Sequence, residues 1–493
     1  MKAKYIIALV SLCIGFSSCS SDFLDLKPKT QLAADEYFQT AEQFEAALNG
    51  AYSTLQEGSL FRNWYIFAEI PSDNTRNQLS GSVTDQDEFD KFYIRTTNPN
   101  LANLWNMSYR GINRVNTLLG RIDNITMDKT LSGRYKLEGK FLRALMYFNL
   151  VRVFGDVPLV LTELSITDSY NMLREPKDNV YQQIIADLKD AQGLPASYAG
   201  TNIGRATSGA AKALLSEVYL TLHRYQEAET TLAEIVNSGA YALLENTAGS
   251  LNIDGYAGVF NPNTHNSKEA VFEVQFKKGG FSEGNSLPND YAPENSGTNV
   301  ISVGSTGGNN IPEMDIYNAY EEGDLRRDFS MSLGYNDSRK DGEWVESRYI
   351  KKFFDVPYQS GDNNNNIPVY RYADILLMYA EALNENGKTE QACNYLNQVR
   401  RRGFGYQTTE ASPKDITATD KNQFFRAVEQ ERRVELAFEG HRWFDLIRTG
   451  RALEVMASKG FKLNATNLTC PIPQKQIDVN PALTQNDYII TPK

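Results

Sequence analysis

The sequence predicts a mostly α-helical protein, with helix pairs as scaffold and long loop-rich insertions carrying short strands. Three observations predict it. Apolar residues recur every three or four positions along several segments that open at a capping residue or close at glycine. Two such segments double back as helix hairpins. Between them run stretches rich in Gly, Asn, Asp, Ser and Pro, longer than ordinary connections in a compact domain and of the kind that carries function.

The chain begins "MKAKYIIALVSLCIGFSSCSSDFLDLKPKT". Lys2 and Lys4 precede a short apolar stretch from Tyr5 to Phe16, which is the pattern of a secretory signal peptide. The stretch is short of the roughly 20 apolar residues of a spanning helix. Ser17 and Ser18 before Cys19 resemble a bacterial lipobox, with Phe16 where Leu is usual. The expectation is a signal peptide over 1–18, lipidation at Cys19, a tether over 19–30 and one domain over 31–493. Several acyl chains on Cys19 would hold the protein firmly at a membrane surface.

Within that domain, residues 31–244 read as an N-terminal helical part, 245–345 as a loop-rich insertion and 346–493 as a C-terminal helical part. Thr40 and Gln43 form a capping box ahead of the stripe Phe44, Ala47, Leu48, Ala51, Leu55, and Gly58 ends it. Leu137, Phe141, Leu145, Phe148 and Val151 make the next strong stripe, closed by Gly155 and Pro158. "SGAAKALLSEVYLTLHRYQEAETTLAEIVNSG" carries the small residues Ser216 and Ala228, and "ADILLMYAEALNENGKTEQACNYLNQVRRRG" carries Ala380 and Ala392. Small residues at that spacing let two antiparallel helices approach closely around a short turn, which resembles a tetratricopeptide unit. The two units are far apart in sequence, so they do not read as a continuous array. In the insertion, Phe272, Val274 and Phe276 alternate as in a strand.

"VEQERRVELAFEGHRWFDLIRTG" (Val428–Gly450) brings Glu, His and Asp together and could pass for catalytic machinery. Its spacing favours structure instead. Asp420 caps a helix that runs towards Gly440, Glu429–Arg433, Arg432–Glu435 and Asp445–Arg448 stand at pairing distance, and Trp443, Phe444, Leu446 and Ile447 supply packing.

Composition narrows the function further. The net charge of −11, with no basic block, argues against nucleic acid as a partner. The three histidines His223, His265 and His441 form no HExxH or paired motif, and there is no GxSxG and no phosphate-binding loop, so no catalytic residues, no metal and no cofactor are expected. The Asn run around Asp362 reads as solvated loop rather than a Ca²⁺ site. Cys393 and Cys470 remain beyond the signal and the lipidation site, and read as buried thiols more readily than as a bridge.

"CSSDFLDLKP", "TAEQFEAALNGAYSTL", "EGKFLRALMYFNLVRVFGDVPLV", "PVYRYADILLMYAEALNE", "ERRVELAFEGHRWFDLIRTG" and "PIPQKQIDVNPALTQNDY" occur in one order along nearly the whole mature chain. Together they resemble the RagB/SusD family of nutrient-binding outer-membrane lipoproteins. The resemblance implies a SusD-like fold with tetratricopeptide-like helix pairs. It implies a lipid-anchored protein on the outer face of the outer membrane in Bacteroidota, serving polysaccharide utilisation. Such a protein captures oligosaccharide or polysaccharide without cleaving it, and caps a SusC-like TonB-dependent transporter as a hinged lid. Some members take peptides instead, and a helical interaction scaffold with no small ligand is the further alternative.

A saccharide offers a C–H face to an aromatic ring and a hydroxyl edge to Asp, Asn and Arg. On that chemistry the candidate contacts are Trp64, Asp73, Asn74 and Arg76 in "FRNWYIFAEIPSDNTRNQ", and Phe281, Tyr291, Tyr335 and Trp344 in the insertion. Trp105 sits on an apolar helix stripe and reads as core.

Overall fold

The structure, a computed structural model, describes residues 37–78 and 84–489. The signal peptide, Cys19 and the tether lie outside the described residues.

Helix α1 (Ala41–Ser53) starts at the expected capping box, where Thr40 accepts the N–H of Gln43 and the Gln43 side chain accepts the N–H of Thr40. Its buried face is Phe44, Leu48 and Ala51. Helix α2 (Pro99–Arg121) is capped by Asn98 and packs against α3 (Lys129–Phe154), which ends at Gly155 with φ +70°. That backbone conformation is one glycine adopts at little cost, so the helix stops where the sequence says it should. Trp105 of α2 is buried edge-on to Phe154.

Helices α4 (Lys177–Ala191), α5 (Ser208–Thr221) and α6 (Tyr225–Asn237) follow. After the insertion come α7 (Tyr372–Glu385) and α8 (Thr389–Gly403). Both hairpins form as expected, with Ser216, Ala228, Ala380 and Ala392 fully buried. Their arrangement corrects one expectation. Helix α3 packs on α4, α4 on α5, α5 on α6, α6 on α7 and α7 on α8, so the array is continuous in space although broken in sequence. The second hairpin is keyed to the first at its turn. Asn386 donates to the Tyr225 carbonyl and to Glu229, and Lys388 pairs with Glu229. A hairpin buries its second face only against a neighbour, so the chain returns from the insertion to supply one.

The insertion and its flanks hold short antiparallel pairs. Strand β1 (Thr75–Arg76) pairs with β3 (Ile311–Pro312), β2 (Ala270–Val274) with β6 (Ile367–Arg371), and β4 (Met331–Asp337) with β5 (Glu343–Ile350). In β2 the register sets Phe272 opposite Tyr370 and Val274 opposite Ile367.

Helix α9 (Lys421–Glu435) begins at Asp420, which accepts the N–H of Gln423, but it ends at Glu435, short of Gly440. The turn that follows holds Phe438 at φ +69° and Gly440 at φ +85°. Buried cations stop the helix by taking its last carbonyls. The Glu435 carbonyl accepts from Arg371 (2.8 Å) and Lys352 (3.1 Å), and the Ala437 carbonyl accepts from Lys352 (3.0 Å). Helix α10 (Arg442–Arg448) then packs Trp443, Phe444 and Leu446 inward.

The charges of this region are not paired along a helix surface as the spacing suggested. Only Asp445–Arg448 forms (2.7 Å). Arg432 turns to Asp374 (2.6 Å) and Asp445 (3.0 Å), and Arg433 to Asp73 (2.9 Å). Glu435 receives Arg371 (2.5 Å), Arg402 (2.6 Å) and Arg326 (2.7 Å). Glu435 and its three arginine partners are buried, and they tie β6, α8, α9 and the Asp324–Arg326 turn into one knot. A buried guanidinium needs several acceptors, and carboxylates from distant parts of the chain supply them.

Cys393 and Cys470 are free thiols. Burial pushes the Cys470 thiol up to about 12.

Candidate functional site

Four of the sequence candidates belong to the N-terminal loop, and the structure uses three of them as fasteners. Trp64 is buried, stacked on Phe444 (centroids 5.3 Å apart), and its Nε1 donates to the Gly440 carbonyl (3.2 Å). Asp73 is buried between Arg442, which binds both carboxylate oxygens (2.8 and 3.0 Å), and Arg433. Burial alone would raise its pKa, but the Arg442 and Arg433 guanidinium groups overcome that and hold it below the ordinary value. Asn74 is buried and accepts from Arg433 Nε (2.9 Å). Arg76, partly exposed, faces Glu313 (3.4 Å). This loop clasps α9 and α10 to the scaffold, so Trp64, Asp73 and Asn74 are out of reach of an outside ligand.

In the insertion, Tyr291 is buried edge-on to Tyr65 (5.6 Å), and Tyr335 is buried on β4 opposite Val345. Polar sequence neighbours suggested a loop position for both. Tyr291 instead closes a short helix, Leu287–Tyr291, that packs into the core, and Tyr335 lies in mid-strand on a buried side of the hairpin. Two candidates do face solvent. Trp344, the second residue of β5, is 54% exposed, its ring lying over Gly334, where a Cβ would stand 2.7 Å from Cζ2. Phe281 is 76% exposed.

Phe281 has a neighbour that sequence reading missed. Tyr358 is 64% exposed, and a Cβ on Gly280 would lie 3.2 Å from its Cε1. The Tyr358 ring therefore lies against the backbone that precedes Phe281, and the two exposed rings belong to neighbouring loops. The first loop closes where the N–H of Lys277 donates to the Glu283 carbonyl (2.9 Å). The second closes where the N–H of Tyr358 donates to the Asp362 carbonyl (2.9 Å). Lys278 crosses between them to Asp355 (3.0 and 3.2 Å) and the Val356 carbonyl (2.7 Å). The signal for Tyr358 was a ring after Pro357 and just before Gly361 and the Asn run, a segment built to hold an exposed loop.

The Asn run itself corrects an expectation. Asp362, Asn363 and Asn365 are buried, not solvated. Asn363 and Asn285 exchange backbone hydrogen bonds (2.9 and 3.0 Å). Asn289 accepts from Asn363 Nδ2 (2.9 Å) and the Gly361 N–H (3.2 Å), and donates to the Val303 (2.9 Å) and Ser305 (3.0 Å) carbonyls. A carboxamide both donates and accepts, so it can satisfy buried loop backbone that belongs to no helix or sheet. The asparagines form the frame that holds the rings up.

Four residues before Tyr358, the half-exposed ring of Phe354 stands on the rim of an open groove of about 950 Å³. Leu251, Asn299, Arg327, Asp328 and Tyr349 also line it. Rings beside amides, a guanidinium and a carboxylate suit a ligand with apolar faces and hydroxyl edges. Among the described residues there is no group of three or more His, Cys, Asp or Glu side chains placed to hold a metal ion.

Comparisons with known proteins identify the class to which this helical-repeat scaffold belongs. The chain belongs to the SusD/RagB family. A model of the SusD family matches residues 317–488, and a second, described as starch-binding associating with outer membrane, matches residues 22–220. SusD-like protein P25 of Formosa agariphila is 26% identical, with 99% of each chain covered. A SusD-like protein of Bacteroides ovatus is also 26% identical, over 92% of this chain and 83% of its own. Among solved structures, a laminarin binding SusD-like protein is 27% identical with a TM-score of 0.77, covering 92% of this chain and all of its own. A SusD superfamily protein of Parabacteroides distasonis is 27% identical with a TM-score of 0.76, over 93% of this chain and all of its own. No helix among the described residues is long and apolar enough to cross a membrane.

Proposed function

We propose that the protein is a cell-surface glycan-binding lipoprotein that takes oligosaccharide or polysaccharide on the Phe281–Tyr358 rings. It delivers this cargo, uncleaved, to a SusC-like TonB-dependent transporter over which it acts as a hinged lid. Cys19 carries the lipid that holds it at the outer membrane. The observation that carries the reading is two exposed rings on neighbouring loops braced from beneath. Flat rings cover the C–H face of a sugar and lose little conformational freedom in doing so. Trp344 is proposed as a separate contact at the hairpin, and the groove beyond Phe354 as the path of a longer chain.

The family gives the reading its cargo class, and the names of its relatives supply starch and laminarin as first probes. A glycan array followed by calorimetry on the mature chain tests it. Binding to at least one glycan, lost in Phe281→Ala and Tyr358→Ala, is expected. Binding to peptides with no glycan bound would move the protein to a peptide-carrying role. Reducing ends released from incubated polysaccharide would overturn the non-catalytic part. Co-purification with an outer-membrane transporter from the native host tests the lid.

A further inference from the structure

We infer that Asp362 is a positioning residue for the ring platform: its buried carboxylate locks the loop that carries Phe281 to the loop that carries Tyr358. This rests on the reading of those rings as a saccharide surface.

Asp362 is 4% exposed, and its Oδ2 accepts the N–H groups of both Gly279 (3.2 Å) and Gly280 (2.7 Å). Those glycines have φ of +142° and +84°, and Ser282 has φ +62°, so the loop curls tightly. Successive N–H groups in such a turn form a concave cradle for an anion. The far side of the carboxylate meets Gly284, where a Cβ would fall 1.9 Å from Oδ1. The Phe281 loop is thus wound round this one side chain. The backbone of Asp362 holds the other loop, since its carbonyl accepts from Tyr358 (2.9 Å) and its N–H donates to the Gln359 carbonyl (3.0 Å). One residue holds the backbone of both loops. Lys278 and Asp355 tie the same loops lower down, so the fold does not depend on Asp362 alone. What Asp362 adds is the curl of the loop that carries Phe281, next to the loop that carries Tyr358, and a ring fixed before binding keeps the affinity that a mobile ring would lose on ordering.

The test uses the mature chain with laminarin, or with whichever polysaccharide the array selects, and reads affinity by calorimetry together with hydrogen exchange at Gly279 and Gly280. Asp362→Ala is expected to weaken binding about tenfold, to speed exchange of those two amides, and to leave the melting temperature within a few degrees. Asp362→Asn keeps an acceptor oxygen and should recover most of the affinity. In a double-mutant cycle, Asp362→Ala should cost little in a Phe281→Ala background, because there is no ring left to position. Gly280→Ala, strained at its φ and pressed against Tyr358, should weaken binding without touching Asp362.

Three results would overturn the inference. They are full affinity in Asp362→Ala while Phe281→Ala binds poorly, a cycle in which the two losses simply add, or wild-type amides at Gly279 and Gly280 that exchange as freely as open loop. The first two leave the glycan reading standing. Absence of binding to any glycan by the wild type removes both, whereas the exchange result judges the brace without any glycan. If Asp362→Ala does not fold, Asp362→Asn and Gly280→Ala carry the same comparison.

Discussion

Glu435 and Glu69 are both fully buried carboxyls, and their neighbours drive them in opposite directions. Burial would raise the Glu435 pKa, but Arg371, Arg402 and Arg326 outweigh it and hold the group well below the carboxylate range. Removing its charge in Glu435→Gln leaves three buried guanidinium groups short of an anion, and should cost about 3–5 kcal/mol in denaturant unfolding. A loss below about 1 kcal/mol, the value of an exposed pair, would contradict the buried knot. Glu69 has no such partner. Burial, opposed only in part by the Gly440 N–H (2.7 Å) and the Lys352 charge, pushes its carboxyl from 4.5 up to about 8. The folded protein therefore binds a proton that the unfolded chain has released between those values. Glu69 contributes stability that is full below its unfolded pKa and is lost as pH rises through about 8. Glu69→Gln cannot ionise, so its urea midpoint relative to wild type should climb from pH 5 to pH 8. A parallel pH profile for the two proteins would show that Glu69 is ionised throughout.

The helices and hairpins show what a sequence discloses at the level of elements. Thr40 with Gln43, Gly155, and the small residues at the hairpin crossings were legible because each acts through the backbone or a near neighbour. The end of α9 was not, since Lys352 and Arg371 stop it from distant sequence. Nor were the rings separable by composition. Phe281 and Tyr291 sit in similar Gly- and Asn-rich stretches, yet one is exposed and the other buried, and only the path of the loop decides between them. Asp73 looked like a binding residue for the same reason, because nothing local announces Arg442 as its partner. The close crossing of α7 and α8 carries a prediction of its own. Ala380 is fully buried on α7, and Ala380→Leu has no space to fill. Overpacking there should cost about 1–3 kcal/mol in thermal or denaturant unfolding. Glycan affinity should survive, because the rings stand on loops outside the helix array. Loss of binding in a variant that remains folded would mean that the scaffold and the loops are coupled.

At the scale of the whole molecule, the helices pack as one array, and on the proposed reading the exposed rings of the loops beside it meet the ligand. The chain carries a net charge of −11, and Lys278, in the loop that carries Phe281, pairs with Asp355. The Phe281–Tyr358 platform thus offers dispersion and apolar contact on an acidic protein, with the exposed Lys277 at the base of its loop. An anionic polysaccharide would meet repulsion from the body of the protein, whereas a neutral one would meet none. Contacts between rings and C–H faces are also indifferent to screening, unlike exposed charge pairs, whose reach at physiological salt is about 8 Å. The protein should therefore prefer neutral glycans, and its affinity for them should change by no more than about threefold between low and high salt, far less than the steep dependence expected of a charge-driven site. Calorimetry with laminarin at several sodium chloride concentrations checks this. A steep fall in affinity with salt, or tighter binding of a sulfated or uronic polysaccharide, would move the contact surface from the rings to Arg327 and Lys351 in the groove beyond Phe354.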